Sequence, residues 1–121
     1  MRENTGKVVL VGAGPGDTGL LTLKGEKYIK QADCLVYDRL SSPEFLSMAK
    51  AGCELIYVGK ENHKHVMNQD AINELLYEKS KYHELVVRLK GGDPYVFGRG
   101  GEEALYLVDR NVDLRPLNGL Q

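Results

Sequence analysis

Four short apolar runs recur along the chain, and each ends on glycine or charge. Val8–Val11 leads into Gly12, Cys34–Tyr37 into Asp38-Arg39, Leu55–Val58 into Gly59-Lys60, and Leu85–Lys90 into Gly91-Gly92. Short, continuous, β-branched runs suit strands buried on both faces, as in a parallel sheet. Helix-like segments of roughly 10 residues separate them. Leu20–Ile29 carries a stripe of Leu20, Leu21, Leu23, Tyr28 and Ile29, weakened by Gly25. Ser42-Pro43-Glu44 is a good helix start, and that helix is expected to run to Ala51 and stop at Gly52. Gln69–Lys79 spaces Ile72, Leu75, Leu76 and Lys79 for a third helix, and a fourth is expected over Gly101–Arg110. Val112–Arg115 reads as a last strand. The alternation predicts an α/β domain: a five-stranded, mostly parallel sheet with helices on both faces. Ligands of such sheets bind beyond the carboxyl ends of the strands.

Two of those ends are stripped of side chains. The first strand opens into Gly12-Ala13-Gly14-Pro15-Gly16-Asp17, which lets a ligand approach the backbone without Cβ atoms in the way. It imitates the dinucleotide fingerprint, but Asp17 stands where the third glycine belongs and Pro15 removes a backbone donor. No Gly-Lys-Ser/Thr follows, so a phosphate loop is a poorer match still. A tight turn with no ligand is the plain alternative. The second glycine loop lies within Leu85–Glu103, LVVRLKGGDPYVFGRGGEE. Gly91-Gly92-Asp93-Pro94 offers bare backbone and one acid, against the alternative of a simple β-turn. Glycine and acid without phosphate-binding features suit a nucleoside carrying positive charge. S-adenosylmethionine, with its sulfonium and α-ammonium, is such a ligand.

Charged groups cluster at the same strand ends. Asp38 is either half of a surface ion pair with Arg39 or a carboxylate held over the site as a proton acceptor or ammonium partner. Lys60 is either a solvated lysine or a cation that pairs with a substrate carboxylate or relays a proton. Arg99, between glycines, has Glu102 three residues on; the pair is either a helix-capping ion pair or an ordered fork for a carboxylate-bearing substrate. His63 and His65 lack a third ligand nearby, and Cys34 and Cys53 lack metal-ligand spacing, so no metal site is expected and the thiols read as structural.

With a net charge of −1, the chain as a whole does not point to nucleic acid or an anionic membrane. Its 121 residues suffice for one domain with a real core. No apolar stretch is long enough to span a bilayer, and residues 1–7 lack a signal-peptide core, so a cytoplasmic location is expected.

Val11–Leu23 (VGAGPGDTGLLTL), Ala32–Leu40 (ADCLVYDRL), Tyr57–Lys60 (YVGK), Gln69–Asn73 (QDAIN) and Val86–Glu103 (VVRLKGGDPYVFGRGGEE) together resemble the tetrapyrrole methylases, and among them the uroporphyrinogen-III C-methyltransferases. The resemblance implies the N-terminal domain of that fold over residues 1–121. It implies methyl transfer from S-adenosylmethionine to C2 and C7 of uroporphyrinogen-III, giving precorrin-2 on the way to siroheme and cobalamin. By motif, Pro15, Gly91, Gly92, Asp93 and Val96 are implied to bind the cofactor, Asp38 to accept a proton and Lys60 to donate one. Arg99 and Glu102 are implied to contact the tetrapyrrole, with Arg39 and His65 as further cations for its carboxylates. A homodimer is implied as well. Glu61 stands where the family usually has a basic residue. The family also continues into a Val-Pro-Gly turn, a Thr/Ser-rich cofactor loop and a C-terminal domain, whereas this sequence reads Leu117-Asn118-Gly119-Leu120-Gln121 at its end. It is therefore expected to be one half of a bilobal enzyme and inactive alone. The alternatives are another precorrin methyltransferase and a non-catalytic binding module.

Overall fold

The computed structural model describes residues 6–12, 23–38, 44–59, 68–90 and 99–117, apart from the side chains of 23, 44, 99–102, 116 and 117. Five strands form one sheet: β1 (Lys7–Gly12), β2 (Cys34–Tyr37), β3 (Glu54–Tyr57), β4 (Leu85–Lys90) and β5 (Asp113–Leu117). Their order is β3-β2-β4-β1-β5 and every pairing is parallel. β2, β4 and β1 take the interior of the sheet, with Val8, Val9, Leu35, Val36, Val86, Val87 and Leu89 fully buried. β5 carries Pro116, which lacks a ladder donor, and lies at an edge where that loss is tolerated.

The helices follow from handedness. α1 (Leu23–Gln31) and α2 (Glu44–Ser47) carry the chain one way across the sheet, towards β3. α3 (Gln69–Tyr82) and α4 (Arg99–Asp109) carry it back towards β5. Right-handed crossovers in opposite directions must lie on opposite faces. The core divides accordingly. One side packs Ile29, Ala32 and Phe45 on Val9, Val11, Leu35, Val87 and Leu89. The other packs Ile72, Leu76, Leu107 and Val112 on Val8, Leu10, Cys34, Val36 and Val86.

α2 is shorter than its sequence suggests. It ends at Ser47 rather than Ala51, because the chain tightens there into three-residue turns. Met48 N–H donates to the Phe45 carbonyl at 3.4 Å, Ala49 N–H to Leu46 at 3.2 Å and Cys53 N–H to Lys50 at 3.2 Å. Gly52 then adopts φ 88°, a left-handed conformation that glycine accepts without strain. α3 is longer than expected, reaching Tyr82. Asn68 caps its start by accepting the Ala71 N–H at 2.8 Å.

Candidate functional site

β1 and β4 are neighbours whose onward connections leave to opposite faces, and Gly12 pairs with Lys90 in register at their carboxyl ends. This is a topological switch point, where doubly wound sheets place their ligands. Both glycine loops singled out in the sequence start from it. Residues 13–22 and 91–98 themselves lie outside the described residues, and with them Pro15, Gly91, Gly92, Asp93 and Val96. Arg39, Lys60 and His65 do as well. Arg99 and Glu102 open α4, but their side chains are not described.

Asp38 follows β2 directly, one strand over from β4. Its carboxylate is 32% exposed and lies 3.4 Å from Arg88 Nη2. Arg88 is the polar residue that strand reading overlooked. It sits mid-strand in β4, between Leu10 and Val36 in register, and its side chain is 3% exposed. Alternation turns it, with Val86, towards the α3–α4 face. A guanidinium there cannot shed its charge and must be paired. Its Nε lies 3.2 Å from Glu103 Oε2, and its Nη1 donates to the Leu89 carbonyl at 3.2 Å.

Glu103 is fully buried on α4, one turn before the buried Leu107 on the same helix face. Gln69, which opens α3, donates to Glu103 Oε2 at 3.1 Å and to Asn73 Oδ1 at 2.8 Å. Glu103 Oε1 has no hydrogen-bond partner among the described residues, and Lys90 Nζ stands 3.9 Å from it. Two cations, Arg88 and Lys90, thus meet two anions, Asp38 and Glu103, at the carboxyl end of the central strands. The most solvent-exposed acid of the set is Asp38. On the opposite sheet face, the rings of Tyr37 and Tyr57 pack with centroids 5.4 Å apart. Chemically, the arrangement offers a carboxylate at the sheet edge, oriented from behind by a buried arginine, whose own position is fixed by a buried glutamate.

The chain as a whole matches the family model of tetrapyrrole (corrin/porphyrin) methylases over residues 7–120. It belongs to that family. It is 59% identical, over 96% of its length, to a uroporphyrinogen-III C-methyltransferase of Methanocaldococcus jannaschii. It is 53% identical, over 98% of its length, to siroheme synthase 2 of Yersinia enterocolitica. The crystal structure of a uroporphyrin-III C-methyltransferase from Thermus thermophilus, complexed with S-adenosyl homocysteine, superposes with a TM-score of 0.73 at 49% identity over 92% of this chain. The chain spans 48% of the first of these relatives, 25% of the second and 43% of the third.

Proposed function

We propose that the chain forms the N-terminal half of a uroporphyrinogen-III C-methyltransferase, methylating C2 and C7 of the substrate to give precorrin-2 for siroheme or cobalamin synthesis. The observation that carries this reading is the 59% identity to a protein of that name, maintained over 96% of the chain. The sheet supports it. The two central strands end side by side at the switch point where doubly wound sheets place ligands, and Asp38 follows the neighbouring strand with a carboxylate in reach of solvent.

S-adenosylmethionine, when bound, supplies a methyl group activated by its sulfonium. The residues proposed to hold it are Pro15 in the first loop and Gly91, Gly92, Asp93 and Val96 in the second. The protein's own work is alignment and the management of one proton. The pyrrole carbon gains a methyl and the macrocycle must lose a proton. Asp38 is the proposed acceptor, held in position by Arg88, and Lys60 the proposed donor of a proton that the macrocycle gives up again, so that one proton is lost in all. Arg99 and Glu102 are proposed to contact the substrate, which carries eight carboxylates and so needs local cations from a chain of near-neutral charge. We further place the enzyme in the cytoplasm as a homodimer. Among the described residues no helix is long and apolar enough to cross a membrane.

The test uses the chain fused to the C-terminal half of the Methanocaldococcus jannaschii relative, with labelled methyl transfer to uroporphyrinogen-III as the readout. Asp38→Ala is expected to lower turnover by about 10²- to 10⁴-fold while S-adenosylhomocysteine binding is retained. Full turnover in that variant would remove Asp38 from the chemistry. Calorimetric titration of the 121-residue chain with S-adenosylhomocysteine tests the half-site separately.

A further inference from the structure

Three metal-ligating groups converge at the amino-terminal end of the sheet, the opposite end from Asp38. Cys34 opens β2, Glu54 opens β3 beside it in register, and His83 caps the carboxyl end of α3. Their sulfur, oxygen and nitrogen ligand atoms all lie within 4.8 Å of one another, and His83 Nε2 approaches Glu54 Oε1 to 3.0 Å. Metal–ligand bonds of about 2.0–2.3 Å in a tetrahedron place ligand atoms roughly 3.3–3.7 Å apart, so the trio has to close by about 1 Å at its widest.

Each ligand is already held by something else. Cys34 is buried in the strand. Lys79 takes the far oxygen of Glu54, Oε2, at 2.8 Å, which turns Oε1 towards the imidazole. The His83 backbone N–H donates to the Lys79 carbonyl at 3.0 Å and so fixes the residue at the helix end. That end belongs to a 14-residue helix, and its partial negative charge favours a cation. The Glu54 and His83 side chains are 40% and 27% exposed, which gives an ion and a water a way in.

The geometry points to a divalent-metal site for a borderline ion of the zinc class, ligated by Cys34 Sγ, Glu54 Oε1 and His83 Nε2, with water in the fourth position. On binding, the Cys34 S–H bond is replaced by a sulfur–metal bond and the proton leaves to solvent. Thiolate and carboxylate then balance the two charges of the ion, while Lys79 stays on the other carboxylate oxygen. Without a cation the thiol stays protonated. Burial pushes it up to about 12, and the Glu54 charge adds to that. A bound metal reverses this balance and draws the proton off. Cys34, Glu54 and His83 come from β2, β3 and the end of α3, so spacing along the chain hides them and only strand register brings them together. The occupied site fastens two strands and a helix at the end of the sheet remote from the methyl-transfer edge, and it stands or falls independently of that reading.

Cobalt(II) added to the full chain tests the proposal directly. One equivalent is expected to bind and to give a near-ultraviolet thiolate-to-cobalt charge-transfer band, displaced by zinc. The band is expected to vanish in Cys34→Ala and to persist in Cys53→Ser. Affinity is expected to fall by roughly tenfold or more in His83→Ala, whose site at the rim spares the core. Zinc is expected to raise the midpoint of thermal unfolding of the wild-type chain more than that of His83→Ala. Absence of the band in the wild-type chain overturns the proposal. So does a band that survives Cys34→Ala, an affinity unchanged in His83→Ala, or a band lost in Cys53→Ser.

Discussion

The two ends of the sheet use similar charged groups for different work. At the amino-terminal end, the charges are partly solvated and tie backbone to backbone. Asp33 accepts the Leu85 N–H on Oδ2 at 3.0 Å, its own N–H donates to the Leu85 carbonyl at 2.9 Å, and its carbonyl accepts the Glu54 N–H at 3.0 Å. One residue therefore joins the starts of β2, β3 and β4. At the carboxyl end, Arg88 and Glu103 are buried and pair with each other, with the Gln69 amide on the same carboxylate, and only Asp38 is as solvated as Asp33. Burying ions costs desolvation that a structural role does not require, since apolar residues of the same size serve as well. The contrast supports the proposal that chemistry takes place at the carboxyl end.

Glu103→Ala is the most severe way to break this comparison. It leaves the Arg88 guanidinium buried without its closest carboxylate, and removing one partner of a buried pair costs about 3–5 kcal/mol. Denaturant unfolding should show that loss. Replacing both partners, as Arg88→Met with Glu103→Leu, is expected to recover most of the stability while leaving Asp38 without its positioning group. A Glu103→Ala chain within about 1 kcal/mol of wild type would mean that the network is solvated and that the two ends do not differ in kind.

At the other end the largest expected effect comes from backbone packing. Gly6 donates its N–H to the Ser80 carbonyl at 2.6 Å. A Cβ on it would come within 2.6 Å of the Glu84 carbonyl oxygen and closer still to that of His83. Backbone cannot give way as a flexible side chain does, so Gly6→Ala is expected to cost about 3 kcal/mol. Asn68→Ala, which removes the α3 cap near the carboxyl end, is expected to cost about 1 kcal/mol, with Asn68→Asp near neutral. Thermal melts of the three variants would rank them in that order. A Gly6→Ala effect smaller than that of Asn68→Ala would show that the amino-terminal end is loosely packed.

Much of this was legible in the chain. β2 and β4 match their apolar runs residue for residue, because continuous β-branched segments have few other uses. The glycines and charges at the carboxyl ends of the strands, on which the proposed site rests, are read directly from the sequence. Arg88 was legible too, as a lone charge inside a run that a parallel sheet buries on both faces, although only the fold names its partners. Choosing Glu103 over Glu102 as the buried acid requires the phase of α4, which Leu107 supplies four residues on. The strand order was not readable, since local pattern carries no information about which strands pair. The Asp33 junction and the Cys34–Glu54–His83 cluster depend on that order. The early end of α2 was hidden as well, because a short helix is limited by the turn that follows it rather than by propensity.

The smallest predicted effect is the sharpest test of the solvated end. The Lys50 ammonium, 2.6 Å from Asp33 Oδ1, holds the Asp33 carboxyl below its ordinary value of 3.8, and the Leu85 N–H adds to this against the cost of burial. A carboxyl lowered on folding contributes stability that is fully present above its unfolded value and is lost as pH falls through the lower folded one. The contribution should therefore be constant near neutrality and fade only as pH drops past 3.8. Exposure of the pair keeps the contribution small. Asp33→Asn keeps an oxygen for the Leu85 N–H and removes only the charge. Urea unfolding of the two chains from neutral pH into the acid range should show a small gap above the carboxylate range that closes below it. No gap at neutral pH would leave the backbone bond, which both chains keep, as what holds the amino-terminal end, and a gap that persists at the lowest pH would show that the substitution removes more than the charge.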